Sequence, residues 1–220
     1  MASDKMEKPR IALISLNSQS YFDDMYGSLL GQLRSKASLQ QIKQADSAIK
    51  LLSEQPRLSA AIITDEALTE TKNSHVYEAV LQYVRQGGTA VIMGHFSSYV
   101  RPLEMKPFFM KAGLPWEAGS YYRTTHFLNR DVVTGDLATK LPPQYSQKAL
   151  FVKNVESAHA LYQTSDDSVV ESRVFAPRSA KVVGEAAVAF ADIGCGKLGY
   201  LGDVNAEEES DAVILAMCGL

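Results

Sequence analysis

Four titratable side chains directly follow predicted strands, where they could act as acids or bases. His95 comes after Gly94 at the end of one buried apolar run, and Asp65, Glu66 and Asp203 follow two others. An imidazole titrates at about 6.5, so it can exchange a proton near neutral pH, while carboxylates can orient a substrate or a water molecule. We therefore predict that His95, Asp65 and Asp203 are catalytic residues.

Further polar residues are predicted to bind the substrate, and each of them also has a purely structural interpretation. Asn17 could form an Asx-turn, Asn205 could cap the last helix, and His95 could be a core histidine bonded to a backbone carbonyl. Asp65 and Glu66 could form a solvated turn, and Asp203 could bond a neighbouring loop. The predicted binding residues are Asn17, Glu66, Ser97, Ser98, Arg123 and Asn205.

The sequence offers little support for a metal or a cofactor. His95 with the three carboxylates could form an oxygen-and-imidazole site, but no HxxxH or HxH spacing occurs, so we predict neither a metal nor a cofactor. The motifs GxSxG, GxxxxGK[ST] and strand-GxGxxG-helix do not occur. Cys195 and Cys218 lack the spacing of a metal site and are too few for a disulfide framework.

The first half of the chain alternates strands with helices. Apolar runs at 10–16, 58–64 and 89–93 are typical of strands buried on both faces, and a short strand is predicted at 37–43. Helical spacing occurs at 22–34, at 45–54 and from Asn73 to Gly87. This order predicts a parallel sheet with right-handed crossovers, whose strand ends meet at one edge and form a binding site there.

The pattern loosens after residue 100 and becomes regular again near the end. A short helix is predicted at 106–112 with Pro107 in its first turn, and residues 116–127 are interpreted as a loop or an edge strand. Short strands are predicted at 148–152 and 158–162, an antiparallel hairpin at 186–191 and 198–201, and a helix at 207–218. We expect one α/β domain over 1–220, mainly parallel with an antiparallel C-terminal hairpin extension, and flexible residues 1–8.

Composition narrows the class of protein. The 220 residues are 46% hydrophobic and 21% charged, with a net charge of −3, which is typical of a globular domain and gives no attraction to nucleic acid or anionic lipid. No signal peptide and no membrane span are predicted. We expect a cytoplasmic protein that binds a small molecule, without nucleic-acid or membrane partners.

Two stretches resemble the class I glutamine amidotransferase-like superfamily, and within it the ThuA-like and β-galactosidase-trimerisation-domain branches. They are YVRQGGTAVIMGHFSS at 83–98 and GKLGYLGDVNAEEESDAVILAMCGL at 196–220. The resemblance implies a flavodoxin-like three-layer sandwich. It also aligns Phe96, Asp203 and Asn205 with the family's catalytic cysteine, histidine and glutamate. Because a phenyl ring is not a nucleophile, glutaminase activity is not expected. ThuA-like proteins carry a histidine near this strand end, which implies a role for His95.

Two hypotheses for function follow. In the first, the chain binds or transforms a small polar, carbohydrate-related molecule at the carboxyl edge of the sheet, with a hydrolase- or lyase-like acid–base mechanism if it is an enzyme. In the second, the fold is a non-catalytic module of a homo-oligomer, and residues 114–128, with Trp116 and Tyr121, are the contact surface. Arg123 in that segment could instead pair with a carboxylate of the site.

Overall fold

The structure is a computed structural model, and it describes residues 8–54, 57–172, 174, 176 and 178–220. Over these residues the chain forms one mixed sheet of ten strands together with eight α-helices. The strands are β1 (Arg10–Ile14), β2 (Ser38–Ile42), β3 (Ala60–Ile63), β4 (Thr89–Ile92), β5 (Glu117–Leu128), β6 (Gln144–Lys153), β7 (Ala160–Gln163), β8 (Glu185–Ala186), β9 (Val188–Ile193) and β10 (Gly196–Leu201). The helices are α1 (Phe22–Met25), α2 (Gly27–Lys36), α3 (Ala45–Ser53), α4 (Ser74–Arg85), α5 (His95–Tyr99), α6 (Pro102–Lys111), α7 (Gly135–Lys140) and α8 (Glu208–Met217).

The strands lie in the order β2-β1-β3-β4-β10-β9-β7-β5-β6-β8. The first five are parallel neighbours, and the other half is antiparallel. The α/β class is therefore confirmed, but the expectation of a mainly parallel sheet with only a hairpin added is wrong. The antiparallel part is as large as the parallel one.

Helices cover both faces of the parallel half. One apolar core places α3, α4 and α6 against the sheet, and a second core places α1, α2 and α8 against the opposite face. The continuous apolar runs of β1, β3 and β4 are explained by this arrangement, because a strand covered on both faces needs no polar side chain. No helix among the described residues is long and apolar enough to cross a membrane.

Most elements of the parallel half were predicted correctly, as were the β9–β10 hairpin and the helix near the end. The predicted helix at 22–34 is divided in two, with Tyr26 between α1 and α2. The polar turn after β4 is a short helix, α5. The helix at 106–112 begins at Pro102, which places Pro107 inside it rather than in its first turn. Residues 1–7 of the segment expected to be flexible lie outside the described residues.

The segment interpreted as a loop or an edge strand is in fact β5, a twelve-residue strand between β7 and β6. Its buried positions include Thr124 and His126, which are polar, so the alternation of apolar and polar residues that marks a half-buried strand is absent. Trp116, just before β5, is fully buried, whereas Tyr121 is 54% exposed. Trp116 therefore belongs to the core, and its predicted role in a contact surface is wrong.

The residues that follow β10 form hydrogen bonds with β6, and this contact closes the antiparallel half of the sheet. Leu150 N of β6 donates to Gly202 O at 3.0 Å, and Val204 N donates to Lys148 O at 3.0 Å. Gly202 N donates to Ala187 O at 2.8 Å. The chain that leaves β10 thus pairs with β6, on the far side of β9, β7 and β5. This closure brings two backbones so close at Gly202 that a Cβ there would overlap Leu150 O.

We predict that Gly202→Ala lowers the free energy of unfolding by about 1–3 kcal/mol, because the methyl group would force the two backbones apart. Gly31→Ala is the matched control: Gly31 is an exposed interior residue of α2, and a Cβ added there would meet no neighbouring group within 4 Å. Alanine is the better helix former by about 1 kcal/mol, so this variant should be more stable. Urea denaturation measures both, and equal stability of Gly202→Ala and the parent chain would contradict the proposed tight closure.

Candidate functional site

The carboxyl ends of β1 and β3 form the point at which the strand order reverses. The chain leaves β1 towards β2 on one side, whereas β3 and β4 follow on the other side. In open α/β sheets, ligands bind in the crevice at such a point. Asn17, after β1, donates its backbone N–H to Asp65 Oδ2, after β3, at 2.9 Å. Two of the loops predicted to form the site therefore meet.

Asp65 is a buried residue that holds together the two loops of this crevice. Its side chain is 2% exposed, and its Oδ1 accepts a hydrogen bond from Ala67 N at 3.2 Å, which caps the 3-10 turn Glu66–Thr69. Burial raises the pKa of Asp65 to about 6, against the opposing effect of the two backbone N–H groups. Because both oxygens already accept hydrogen bonds from the backbone, Asp65 positions the turn that carries Glu66.

Glu66 has one oxygen bound and one free. Asn17 Nδ2 donates to Glu66 Oε1 at 3.2 Å and to Glu70 Oε1 at 3.0 Å. Glu66 Oε2 is buried and has no partner among the described residues, whereas Glu70 also pairs with Lys72 at 2.7 Å. Of the carboxylates in this group, Glu66 is the one with a buried acceptor atom that no described group satisfies.

The strained turn after β4 lies at Gly94, which has φ +68° and ψ −131°. In a nucleophile elbow, the reactive side chain projects from the strained residue of a turn between strand and helix. The geometry thus places Gly94, and not Phe96, at that position, which corrects the alignment made from the sequence. A Cβ on Gly94 would lie 3.3 Å from Phe22 Cε2 and 3.6 Å from Tyr26 Cζ. It would also lie 3.2 Å from Thr64 O, so the backbone of Thr64 and the ring of Phe22 leave little room for a side chain at this position.

His95 is the first residue of α5 and lies just beneath the surface. It is 2% exposed, and neither Nδ1 nor Nε2 has a hydrogen-bond partner among the described residues. Its ring is surrounded by those of Tyr21, Phe22, Tyr99 and Tyr26, with centroids 4.9, 5.3, 5.6 and 5.9 Å away. Burial lowers the pKa of His95, and the charge of Glu66 acts in the opposite direction. The neutral imidazole therefore dominates at neutral pH, with one nitrogen able to donate and the other able to accept.

Two tyrosines cover His95 from the solvent side. The hydroxyls of Tyr21 and Tyr99 are hydrogen-bonded to each other, and both side chains are 43% exposed. Beneath them the Tyr26 hydroxyl is buried and has no partner among the described residues. Burial raises the pKa of Tyr26, and the charge of Asp203 adds to this effect. We call the group of His95, Glu66, Tyr26, Tyr21 and Tyr99 the rim site.

The two serines that were predicted to bind substrate differ in position. Ser97 is buried, and its Oγ donates to Tyr200 Oη at 3.2 Å, which joins α5 to β10. Ser98 is exposed on α5. A surface cavity of about 470 Å³ lies elsewhere on the molecule, lined by segments 155–166 and 181–185. At the rim site, His95 is 2% exposed and the Tyr26 hydroxyl is buried, so both are closed to solvent in this conformation.

Asp203 lies at the start of α8. Its Oδ1 accepts from Asn205 N at 2.8 Å, and its Oδ2 accepts from Glu207 N at 2.8 Å and from Ser210 Oγ at 2.6 Å. It is 1% exposed, and burial raises its pKa against these three hydrogen bonds. Asp203 thus holds the segment that leads into α8 and the Ser210 hydroxyl of its first turn. Asn205, which could have capped the helix, lies before its cap residue Glu207.

Arg123 and Asn205 lie beside this helix start and not beside His95. Arg123 Nη2 pairs with Glu207, and its Nη1 donates to Ser146 Oγ at 3.3 Å. When the side-chain amide of Asn205 is oriented with its oxygen towards Arg123, this oxygen accepts a hydrogen bond from Arg123 Nη2 at 2.8 Å. The structure therefore divides the predicted residues into the rim site, with Asn17 and Asp65, and a second group around Asp203.

Sequence reasoning missed the three tyrosines of the rim site. Tyr21 and Tyr26 follow the end of β1 within one short segment, and Tyr99 follows the end of β4. The one sign of them in the sequence was that they follow strand ends. The helical spacing of aromatic and apolar residues at 22–34 is, however, equally typical of a helix packed in the core. No group of three or more His, Cys, Asp or Glu side chains among the described residues is arranged to hold a metal ion.

No protein-family model matches the sequence, and no curated protein matches it. Solved structures do match its fold. A protein from Bacteroides uniformis described as ThuA-like has a TM-score of 0.60 at 11% identity, over 98% of this chain and 92% of that protein. A β-galactosidase from Bacillus circulans sp. alkalophilus has a TM-score of 0.61 at 13% identity, over 96% of this chain but 31% of the enzyme.

A third structure, described as a GMP synthase component from Thermoplasma acidophilum, has a TM-score of 0.50 at 10% identity, over 97% of this chain and 95% of that protein. At such identities the matches show the fold alone. The chain therefore shares its fold with proteins described as ThuA-like and with a protein described as a GMP synthase component.

We predict that Asp203→Ala lowers the free energy of unfolding by about 2–3 kcal/mol, because three donors at the start of α8 lose their acceptor. Ser210→Ala removes only one of the three contacts and should cost about 1 kcal/mol. Urea denaturation followed by circular dichroism measures both changes. A loss below about 0.5 kcal/mol for Asp203→Ala would show that Asp203 does not hold the helix start.

A second prediction concerns pH. Because the pKa of Asp65 is about 6 in the folded chain and 3.8 as an ordinary aspartate, the folded state binds an additional proton between these values. This contribution to stability is present at low pH and is lost as pH rises through about 6. The stability of the parent chain relative to Asp65→Asn should therefore increase by about 1.4 kcal/mol per unit from pH 6 to pH 4. Denaturation at several pH values checks this, with the exposed Asp46→Asn as control; parallel curves for parent and Asp65→Asn would contradict it.

Proposed function

We propose that this chain binds a small, neutral, hydroxyl-rich molecule at the rim site of a flavodoxin-like sandwich, and that it does not hydrolyse glutamine. The observation that carries the proposal is the set of polar atoms beside the strand-order reversal, namely Glu66 Oε2, Tyr26 Oη and both ring nitrogens of His95. All are buried and have no partner among the described residues. Such atoms are costly to leave unpaired, and a ligand would supply their partners.

The chemistry of these groups indicates the class of ligand. Glu66 Oε2 accepts a hydrogen bond, whereas Tyr26 Oη and the neutral imidazole can both donate and accept. Asp65, Glu66 and Glu70 make the crevice unfavourable for an anion. The rings of Tyr21 and Tyr99 offer apolar faces to the carbon skeleton of a ligand. A carbohydrate-like molecule combines hydroxyl groups with such a skeleton, and the enzyme of which a 31% portion shares this fold is a β-galactosidase, which is named for a carbohydrate substrate.

The same geometry favours an acid–base step over nucleophilic attack from the turn after β4. Gly94 occupies the elbow position and has no side chain, so no covalent acyl or glycosyl intermediate can form there. His95, neutral at pH 7, could accept a proton from a ligand hydroxyl or carbon, and Glu66 could orient the same ligand. Among the predicted catalytic residues, His95 keeps that role in this proposal, and Asp65 and Asp203 become positioning residues.

We predict that neutral monosaccharides, such as galactose, glucose and mannose, stabilise the parent chain against heat. At ten times the Kd, a ligand adds about 1.4 kcal/mol, which corresponds to an increase in Tm of about 3–6 °C. Glucuronate is the anionic counterpart and should produce a smaller shift. Glu66→Gln should lose the shift, whereas Ser98→Ala, a substitution on the exposed side of α5, should keep it. The proposal would fail if no neutral sugar shifted Tm, or if Glu66→Gln responded as the parent does.

A separate test distinguishes a role of His95 in sugar binding from a purely structural role. His95→Phe keeps an aromatic ring among the four neighbours and removes both unpaired nitrogens, so the unliganded Tm should stay unchanged or rise while the sugar-dependent shift disappears. Differential scanning fluorimetry with and without sugar gives both quantities. A lower Tm together with an intact sugar response would instead assign His95 a structural role only.

Assembly into a homo-oligomer is the second candidate function, and one observation favours it. Leu103 and Met110 are 90% and 53% exposed and lie seven residues apart on α6, hence on one face of the helix. Exposed apolar side chains on one face are typical of contact surfaces. If two copies of the chain meet there, the double substitution of Leu103 and Met110 by glutamate should reduce the sedimentation coefficient. An unchanged value would count against assembly through α6.

A further inference from the structure

A second set of buried polar groups lies in the antiparallel half, away from the rim site. In the register of β5 with β6, His126 is opposite Tyr145 and Thr124 is opposite Gln147. Residues directly opposite each other in an antiparallel pair project from the same face, so His126 and Gln147 are diagonal neighbours on one face. Both side chains are completely buried.

The sheet curls around these two side chains. The ring of His126 lies 5.2 Å from that of Phe151, although Phe151 is six residues beyond the partner of His126 on β6. In a flat sheet those positions would be about 20 Å apart along the strand, so this face must be concave. The segment after β7 covers β5 at the side, where Ser168 Oγ donates to Thr125 O at 2.9 Å.

His126 and Gln147 differ from their polar neighbours in hydrogen bonding. Thr124 Oγ1 donates to Val169 O at 2.8 Å, and Tyr122 Oη donates to Ala180 O at 3.0 Å. In contrast, both ring nitrogens of His126 and both amide atoms of Gln147 have no partner among the described residues. Buried polar groups in proteins are nearly always hydrogen-bonded, to protein or to ordered water, and an unpaired one is costly, so these four atoms require partners that the described residues do not supply.

We propose that His126 and Gln147 form an internal binding site for a small neutral molecule that both donates and accepts hydrogen bonds, with ordered water as its smallest occupant. The donor and acceptor groups fix this chemistry. Gln147 offers an amide NH₂ and a carbonyl oxygen, and a neutral imidazole offers one donor and one acceptor. Burial lowers the pKa of His126 to about 3, so the imidazole is uncharged at neutral pH. A charged guest would find no counter-ion in either side chain.

A crystal structure of the full chain tests the occupant directly. We expect electron density within about 2.7–3.2 Å of a His126 ring nitrogen and of the Gln147 amide. A spherical peak identifies water, and an extended peak identifies a larger neutral guest retained from expression. Absence of density between the two side chains, or a direct hydrogen bond from Gln147 to His126, would overturn the proposal.

Substitutions test the same point in solution. Gln147→Met keeps the length of the side chain and removes its hydrogen bonds, and His126→Phe keeps an aromatic ring. If a guest links the two residues, each variant should lower Tm by about 3–10 °C, because the guest and the remaining residue lose a partner. If the polar atoms are truly unsatisfied, the apolar variants should raise Tm, which would refute the site.

Matched controls make the same chemical changes where no guest is proposed. Gln163→Met and His75→Phe alter exposed residues and should leave Tm unchanged within about 1 °C. The double variant at 126 and 147 completes a thermodynamic cycle. The double variant should lose less in Tm than the sum of the two single losses. The reason is that either single substitution already breaks the link through the guest, so the second one removes a residue that is no longer linked. Strict additivity would show that no shared guest joins the two side chains.

Discussion

Every polar atom that this core buries needs a hydrogen-bond partner, and this constraint divides its buried polar residues into two kinds. Asp65 and Asp203 have all of their oxygens engaged, and each holds the beginning of the element that follows it. His95, His126 and Gln147 are as deeply buried and have no such partners in the described part of the chain. Since an unsatisfied buried group costs about 1–3 kcal/mol, the first kind stabilises the fold and the second kind points to ligands.

The parallel half could be predicted from the sequence because its signals are local. The runs at β1, β3 and β4 are continuously apolar, and α4 carries an apolar stripe that ends at Gly87. Since parallel strands present their carboxyl ends at one edge, the meeting of Asn17 with Asp65 followed from the order of elements alone. The sequence could not predict which carboxylate oxygens have a hydrogen-bond partner and which lack one. The partners are largely backbone N–H groups, and no sequence pattern specifies the positions of those groups.

The antiparallel half could not be predicted in the same way because its buried face is partly polar. Thr124 and His126 interrupt in β5 the alternation by which a half-buried strand is recognised, so β5 resembled a loop, and Gln147 is a buried polar residue of β6. The closure at Gly202 joins residues far apart in the chain, and its only trace in the sequence is one glycine. His126, one of the two polar residues that obscured β5, also belongs to the proposed internal site, as expected where local sequence preference and function disagree.

The turn after β4 determines which side chain projects at the end of that strand. A residue with φ +68° and ψ −131° is strained unless it is glycine, and such strain usually persists where the position has a function. Here Gly94 removes the strain and the side chain together, and the rings of Phe22 and Tyr26 fill the space in front of it. Because of this sharp turn, α5 begins directly at the next residue, His95. The imidazole of His95 then lies beneath the hydrogen-bonded hydroxyls of the two tyrosines. The turn thus presents the neutral imidazole of His95 and no side chain at Gly94 itself.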